Sequence, residues 1–219
     1  IDPRITTVNY FHNRFIEALP VNGGSVVREY DLQTRRARQI FSDPTGRIET
    51  LRVFAQGLRA AAGYSDGTIK FWDVAAARAI ATLRGGMSGI SWLVVSPDGR
   101  RMIAHDGKQI MQLWDLTSYR LLDSFNAQAP VIGGFTPDGK GFFTIVEGRT
   151  LRLYGAETGR LIATLADPGN IFIGVFWADP RRLYTYGTDR TVKIYETPSL
   201  RRRAVFMGHT DWVSVAGLS

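Results

Sequence analysis

Side chains that could carry acid–base, metal or nucleophilic chemistry are few in this sequence, and they do not converge. The three histidines, His12, His105 and His209, fall in different parts of the chain without a partner at metal-ligand spacing. Cysteine is absent, which excludes disulfides and thiolate chemistry but leaves the compartment open, with the cytoplasm slightly favoured. The sequence therefore predicts no catalytic residue, no metal site and no cofactor. We expect His105, which adjoins Asp106, in a solvated turn.

Arginine is the residue type most suited to bind a ligand here. The chain has 27 Lys and Arg against 20 Asp and Glu, a formal net charge of +7 and a pI near 10.0. Clustered guanidinium groups suit carboxylate or phosphate recognition. The candidate partner-binding clusters are Arg35 with Arg36, Arg181 with Arg182, and Arg201, Arg202 and Arg203. They predict an acidic partner; the alternative is a solvated surface that keeps the protein soluble.

The elements that must position these residues form an internal repeat. An aromatic residue ends one β-rich run in each repeat, at Tyr30, Trp72, Trp114, Tyr154 and Tyr195, with spacings of 42, 42, 40 and 41 residues. The sequence around these anchor aromatics recurs as well: residues 66–73 resemble residues 189–196, and residues 79–83 resemble residues 161–165. Alternating apolar residues and Asp-Gly turns predict four short strands per repeat, which we name a to d.

These repeats resemble the WD-repeat β-propeller family. Trp72-Asp73 and Trp114-Asp115 match its Trp-Asp ending, and Gly208-His209 matches its Gly-His opening. The resemblance implies an all-β fold of four-stranded antiparallel blades in one propeller region, residues 1–219. The family's polar network of Asp, His, Ser or Thr, and Trp is incomplete in most repeats, so we expect apolar packing to carry more of the stability.

The repeat frame predicts five blades and the first strand of a sixth. The repeats run over approximately 1–42, 43–84, 85–126, 127–166 and 167–207, with a partial repeat at 208–219. Residues 5–11 align with 48–54, so the first repeat has its own strand a. We therefore expect an open portion of a ring of about seven blades that continues after Ser219. The alternative is a five-bladed ring in which 212–218 joins the first blade.

The resemblance also implies two faces. In such propellers the a-to-b and c-to-d turns lie on one face, and here those turns hold the Arg clusters and the basic excess. The opposite face, formed by the b-to-c and d-to-a turns, is slightly acidic and carries Tyr64, Met87, Tyr186 and Trp212. This largely aromatic set is suited to anchor a protein or peptide. For Trp212, packing between blades is an equal alternative.

The function predicted on these grounds is a non-enzymatic scaffold for protein–protein interaction. One alternative is the sensing or recruiting region of a longer multidomain enzyme, for instance a bacterial protein with an effector domain elsewhere. The Ala-, Arg- and Gly-rich composition favours a bacterial source. A lactonase-like propeller enzyme is disfavoured, because the strand a positions Thr50, Ser91, Val131 and Ser214 are neutral. Nucleic-acid binding is disfavoured because Tyr119 is the main aromatic residue among the Arg clusters, and no apolar run is long enough to span a membrane.

Overall fold

The chain folds into five four-stranded antiparallel sheets, each made of consecutive strands in chain order. They are seen in a computed structural model that describes residues 7–11, 13–44, 46–126 and 130–213, with the backbone alone described at 7–11 and 130–132. Each sheet corresponds to one predicted repeat, so the expected all-β fold of four-stranded blades is confirmed. The one helical element within the described ranges is a 3-10 turn at Ala55–Gly57.

The strands are numbered in chain order, and each blade contains four. Blade 1 contains β1 (Thr7–Phe11), β2 (Arg14–Val21), β3 (Gly24–Asp31) and β4 (Arg36–Asp43). Blade 2 contains β5 (Ile48–Phe54), β6 (Arg59–Tyr64), β7 (Thr68–Asp73) and β8 (Arg78–Arg84). Blade 3 contains β9 (Trp92–Val95), β10 (Arg101–His105), β11 (Ile110–Asp115) and β12 (Arg120–Asn126). Blade 4 contains β13 (Pro130–Phe135), β14 (Gly141–Val146), β15 (Thr150–Gly155) and β16 (Leu161–Ala166). Blade 5 contains β17 (Phe172–Asp179), β18 (Arg182–Gly187), β19 (Val192–Glu196) and β20 (Arg201–Phe206).

The blades group into two compact units. Blades 1 to 3 form the first unit, and blades 4 and 5, together with residues 96–98, form the second. In the first unit one apolar cluster joins blades 1 and 2, where Phe41 stacks on Trp72 with ring centroids 3.9 Å apart. A second cluster joins blades 2 and 3 through residues such as Phe71 and Met102. In the second unit Phe143 of blade 4 and Tyr195 of blade 5 share a cluster.

The anchor aromatics coincide with an irregularity in the pairing of strands c and d. The register between them shifts directly before Trp72, Trp114, Tyr154 and Tyr195, and two residues earlier, before Arg28, in blade 1. Such a β-bulge places one extra residue on one strand and increases the local twist. Strand d begins six residues after the anchor in blades 1, 2, 3 and 5 and seven residues after it in blade 4.

A polar contact crosses from one blade to the next at equivalent positions. Lys70 on strand c of blade 2 donates a hydrogen bond to Asp43 Oδ2, at the end of blade 1, over 2.6 Å. Gln112 on strand c of blade 3 donates to the carbonyl oxygen of Gly85 over 2.7 Å. In blade 5, Lys193 pairs with Asp167, which follows blade 4, and with Asp189 over 2.5 Å. These inter-blade bridges add polar stabilisation to the apolar packing expected from the sequence.

Burial and pairing act in opposite directions on the Lys193 bridge. Burial disfavours the charged lysine, but the hydrogen bonds to Asp167 and Asp189 outweigh it and raise the pKa of Lys193. Burial likewise tends to raise the pKa of Asp189, whereas the hydrogen bonds from Lys193 and Thr191 bring it below its ordinary value. Both shifts mean that the charged pair is more stable in the folded chain than in the unfolded one.

The sixth repeat is described only at its start. The amide of Val213 donates to the carbonyl oxygen of Gly187 over 3.2 Å, as Ile90 does to Tyr64 over 2.9 Å and Phe172 to Gly148 over 2.7 Å. Val213 is buried like Ile90 and Phe172. Residues 214–219, which would form most of the predicted sixth strand a, lie outside the described residues, and the number of blades in the ring stays a prediction.

The bridge at Lys193 makes a stability prediction. Lys193→Met removes the ammonium group and leaves Asp167 and Asp189 without their shared cation, so we expect the free energy of unfolding at pH 7 to fall by about 1–3 kcal/mol. Urea unfolding measures this, and the control is Lys108→Met, which removes an exposed lysine from the turn after β10.

The pH dependence of this difference follows from the pKa directions. Because the pKa of Asp189 is lowered on folding, its contribution is complete above an unfolded pKa of about 4 and is lost below it. Because the pKa of Lys193 is raised, its contribution is complete below about pH 10 and is lost as the pH rises through the folded value. The wild type and Lys193→Met should therefore differ most between these limits. A difference independent of pH would contradict the ionic bridge.

Candidate partner-binding surfaces

The turns that follow strands a and c lie at the same end of each blade and are tied together. The residue two positions after each anchor aromatic donates its amide to the carbonyl oxygen of the residue before strand b. The five pairs are Leu32 to Asn13 at 2.7 Å, Val74 to Leu58 at 3.0 Å, Leu116 to Arg100 at 2.8 Å, Ala156 to Lys140 at 2.9 Å and Thr197 to Arg181 at 3.0 Å. We call this end of the blades the basic rim, because the Arg clusters found in the sequence lie there.

Cross-strand pairing explains why this rim is basic. The residue after the anchor aromatic is acidic in four blades and stands opposite an Arg at the start of strand b and another at the start of strand d. The four triplets are Arg14, Asp31 and Arg36; Arg59, Asp73 and Arg78; Arg101, Asp115 and Arg120; and Arg182, Glu196 and Arg201. Each of these blades thus places two guanidinium groups beside one carboxylate. Blade 4 has Gly141, Gly155 and Arg160 in its place.

The carboxylates of the first unit are occupied by their own turns. Oδ1 of Asp31, Asp73 and Asp115 accepts the backbone N–H three residues further on, over 2.8 Å in each case. The hydrogen bond from Ser118 is the main cause that holds the pKa of Asp115 below its ordinary value. The other oxygen of Asp115 binds Arg101 Nη1 at 2.7 Å. The turns therefore occupy these carboxylates, and the Arg residues at the start of strand d are left without an ion pair to a described residue.

Blade 5 has an open groove of about 850 Å³ at this rim, lined by Asp179, Pro180, Arg181, Arg182, Ile194, Glu196, Thr197, Ser199 and Arg203. Three of the predicted site residues hold its carboxylates. Arg201 donates to Glu196 at 3.0 Å, Arg203 pairs with the same carboxylate, and Arg182 donates to Asp179 at 2.7 Å. Arg203 and then Arg201 lower the pKa of Glu196. Arg181 and Arg202 are exposed, and their guanidinium groups form no ion pair with a residue that the structure describes.

Blade 1 has a smaller groove at the same rim. Its floor includes Glu29, which is largely buried and pairs with Arg38 and, at 3.1 Å, with Arg14. The predicted site residue Arg36 lines this groove, and Arg35 lies in the turn before it; both side chains are exposed. Blades 1 and 5 thus share an arrangement in which some Arg residues pair with carboxylates of the same blade and others are exposed to solvent.

Two of the four residues predicted to anchor a partner on the opposite face are buried. Tyr64 is 1% exposed, and its hydroxyl donates to Asp43 Oδ2 over 2.8 Å beneath Lys70, whose Nζ lies 4.8 Å from the ring centroid. Burial, followed by the hydrogen bond to Asp43, raises the pKa of Tyr64 far above its ordinary range. Met87 is 5% exposed and belongs to the cluster between blades 2 and 3. The structure therefore places these two side chains in the core and not on an accessible surface.

The other two residues of this set differ in exposure. Tyr186 is half-buried, with its ring tilted against Phe176 at 6.3 Å and closely approached by Gly174, where any side chain would clash with the tyrosine. Trp212 is 62% exposed and precedes the buried Val213. Of the predicted aromatic set, Trp212 thus presents the most accessible ring.

His105 and Ser91, which were considered for catalysis, take part in hydrogen bonds that stabilise the fold. His105 is 4% exposed at the end of β10 and not in a solvated turn; its Nδ1 accepts the amide of Gly107 at 2.9 Å, and burial lowers its pKa. The Ser91 hydroxyl donates to the carbonyl oxygen of His105 at 3.1 Å. Within the part of the chain that the structure describes, no three His, Asp or Glu residues are arranged to hold a metal ion, and no helix is long and apolar enough to cross a membrane.

Sequence reasoning missed Arg78, Arg120 and Arg160. Arg78 and Arg120 open strand d in blades 2 and 3, as Arg36 and Arg201 do in blades 1 and 5, and Arg160 directly precedes strand d in blade 4; all five are exposed. The signal was present, because each Arg follows its anchor aromatic by six residues. It was hidden because the charge of Asp73 or Asp115 cancels that of the Arg when a turn is counted as a whole.

Comparison with known proteins finds similarity to proteins that contain WD repeats. A family model described as WD domain, G-beta repeat matches residues 36–73, from strand d of blade 1 to strand c of blade 2. Transcription initiation factor TFIID subunit 5 of Caenorhabditis elegans is 29% identical over 60% of this chain and 20% of its own length. The WD repeat-containing protein srw1 of Schizosaccharomyces pombe is 22% identical over 80% of this chain and 40% of its own. Transducin beta-like protein 3 of Bos taurus is 26% identical over 68% of this chain and 21% of its own.

Five recurring four-stranded blades define a protein of the β-propeller type. The chain contains a WD repeat at residues 36–73 and is similar to WD-repeat proteins, in agreement with the anchor aromatics and turns described above. WD repeats serve in general as scaffolds for protein interaction, and none of the three relatives' names denotes an enzyme. The chain spans 20 to 40% of the length of these relatives.

The turn carboxylates give a testable prediction at Asp115. Asp115→Ala removes the acceptor for two turn amides and the partner of Arg101, so we expect a loss of about 1–2 kcal/mol of unfolding free energy at pH 7. Asp115→Asn keeps an oxygen for the turn and should cost less than half as much. Thermal unfolding measures both, with Asp123→Ala on strand d as the control of equal charge. Equal losses for Ala and Asn would show that the turn bonds are not what matters.

Proposed function

We propose that this chain is a non-enzymatic scaffold that holds an acidic protein partner at the basic rim. The observation that carries the proposal is the unequal use of charge. The rim carboxylates are bound by turn amides or by Arg, whereas the guanidinium groups of Arg181, which lines the blade 5 groove, and of Arg202, on strand d of the same blade, form no ion pair with a described residue. An exposed guanidinium group has five N–H donors in a planar fork that fits a carboxylate in two-point contact.

The groove supports a division of roles among the predicted residues. Arg182, Arg201 and Arg203 fix Asp179 and Glu196 and thereby shape the groove wall. Arg181 and Arg202, with Arg35 and Arg36 at blade 1, are the cations that a partner can reach. The exposed Trp212 at the other end of blade 5 is a separate candidate anchor for a protein partner.

Protein fits this rim better than nucleic acid does. Single-stranded nucleic acids bind through aromatic rings on which bases stack, interleaved with cations. Tyr119, the main aromatic residue among the Arg clusters, packs its ring edge-on against Phe71 with centroids 5.2 Å apart. It is therefore engaged in the core and poorly placed to stack on a base.

The alternative function is the recruiting region of a longer enzyme. It is favoured by the fact that the matched relatives are much longer than this chain, so that a WD-repeat region can be one part of a larger protein. The two functions are distinguished by the complete reading frame, since a catalytic domain beside the repeats would replace the simple scaffold.

A charge-reversal experiment tests the rim. We expect the double variant Arg181→Glu with Arg202→Glu to bind a fluorescein-labelled octaglutamate peptide at least about tenfold more weakly than the wild type, because both attractive charges become repulsive. Fluorescence anisotropy at low ionic strength measures the affinity, and binding should weaken with added salt.

The control for this experiment reverses two charges away from the rim. Arg84 lies at the far end of β8 and Lys108 in the turn after β10, and both are exposed. The variant Arg84→Glu with Lys108→Glu changes the net charge by the same amount and should bind the peptide nearly as well as the wild type. Equal losses in the two double variants would show that net charge, and not the rim, governs binding.

A further inference from the structure

An exposed arginine stands at the start of strand d in every blade: Arg36, Arg78, Arg120 and Arg201 are the first residue of the strand, and Arg160 directly precedes it in blade 4. The residue before it has a left-handed backbone in all five blades, with φ of 56° at Arg35, 52° at Ala77, 56° at Tyr119, 67° at Gly159 and 53° at Leu200. A non-glycine residue in this conformation costs roughly 1–2 kcal/mol. Four of the five blades accept that cost, so the turn sets the start of strand d in the same way each time.

In the first unit the carboxylates opposite these arginines are already engaged. Asp31, Asp73 and Asp115 stand opposite them but already accept turn amides, and Asp115 also binds Arg101. Arg36, Arg78 and Arg120 form no ion pair with any residue that the structure describes. Blade 5 differs, because Arg201 is bound to Glu196, and blade 4 differs because Gly155 replaces the acid.

We infer that Arg36, Arg78 and Arg120 form a ladder of equivalent carboxylate sites, one on each blade of the first unit, which binds one extended acidic segment of a partner protein. This inference rests on the proposed function and specifies the form of its partner. A single exposed ion pair contributes only about 0.2–1 kcal/mol. Three such contacts on one ligand reinforce each other, because the first contact raises the local concentration for the others.

The packing of the blades sets the spacing of acidic residues in the partner. The blades of this unit stack face to face through rings such as Phe41 and Trp72, and stacked sheets lie about 10 Å apart. An extended chain advances at most about 3.3–3.6 Å per residue. Consecutive carboxylates must therefore lie at least about three residues apart, and a run of adjacent acids reaches only one site at a time.

Two peptides of equal charge test the ladder on the whole chain. The spaced probe has three Glu residues separated by three Gly or Ser residues, and the clustered probe has three adjacent Glu residues in the same total length. We expect the spaced probe to bind more tightly, by about threefold or more in anisotropy at low ionic strength. Equal binding of the two probes would overturn the ladder.

The variants Arg36→Gln, Arg78→Gln and Arg120→Gln assign the contacts. Each variant should bind the spaced probe about two- to fivefold more weakly than the wild type does. The losses in affinity should multiply in the triple variant. Arg84→Gln, at the other end of the same strand as Arg78, is the control and should have little effect. Losses no greater than that of Arg84→Gln would overturn the ladder.

Failure of the ladder and failure of the proposed function give different results. If octaglutamate binding depends on Arg181 and Arg202 but the three ladder variants bind the spaced probe like the control, the ladder is wrong and the acidic-partner scaffold stands. If neither acidic peptide nor octaglutamate binds, both are wrong. Tighter binding of a single-stranded DNA oligonucleotide of the same charge would overturn a protein partner for this surface.

Discussion

A four-stranded sheet with two apolar faces cannot be stable alone in water, and the rest of this structure depends on that constraint. Each blade must cover its faces with its neighbours, which is why the largest side chains, such as Phe41, Trp72 and Phe71, lie between sheets and not within one. The bulge directly before Trp72 and Trp114 fixes the pairing of strands c and d at the place where stacking occurs. Register at the core then determines what each blade presents at its rim.

Polar bridges between blades complement this packing where the family's usual network is incomplete. The long side chains of Lys70, Gln112 and Lys193 reach back from strand c to the joint with the preceding blade. A joint without a Gly-His pair still needs its polar groups satisfied, because unpaired buried groups are costly. Asp43 shows the result, since it accepts hydrogen bonds from both Lys70 and Tyr64.

The same joint shows why the fold was easier to predict than the site. Periodicity of aromatic and β-branched residues is a local signal, so the repeat frame, the four-stranded blades and bounds such as Ile48–Phe54 followed from the sequence. The exposure of Tyr64 did not follow, because its burial depends on Asp43, a residue of another blade. His105 was expected in solvent because no local sequence pattern indicates its burial. Its side chain is covered by tertiary packing.

Charge at the rim shows a second limit of reading a sequence by composition. Counting Asp115 against Arg120 gives a neutral turn, although the carboxylate is bound by two turn amides and by Arg101 while Arg120 stays exposed. A carboxylate that is hydrogen-bonded to its own turn still screens its neighbours, but it has little capacity left to hold a second cation in a fixed geometry. What a partner meets is therefore set by which charged groups are already engaged. In blades 1 to 3 the fold engages the acids and leaves an arginine at the start of strand d, and this asymmetry is the physical basis of the proposed acidic partner.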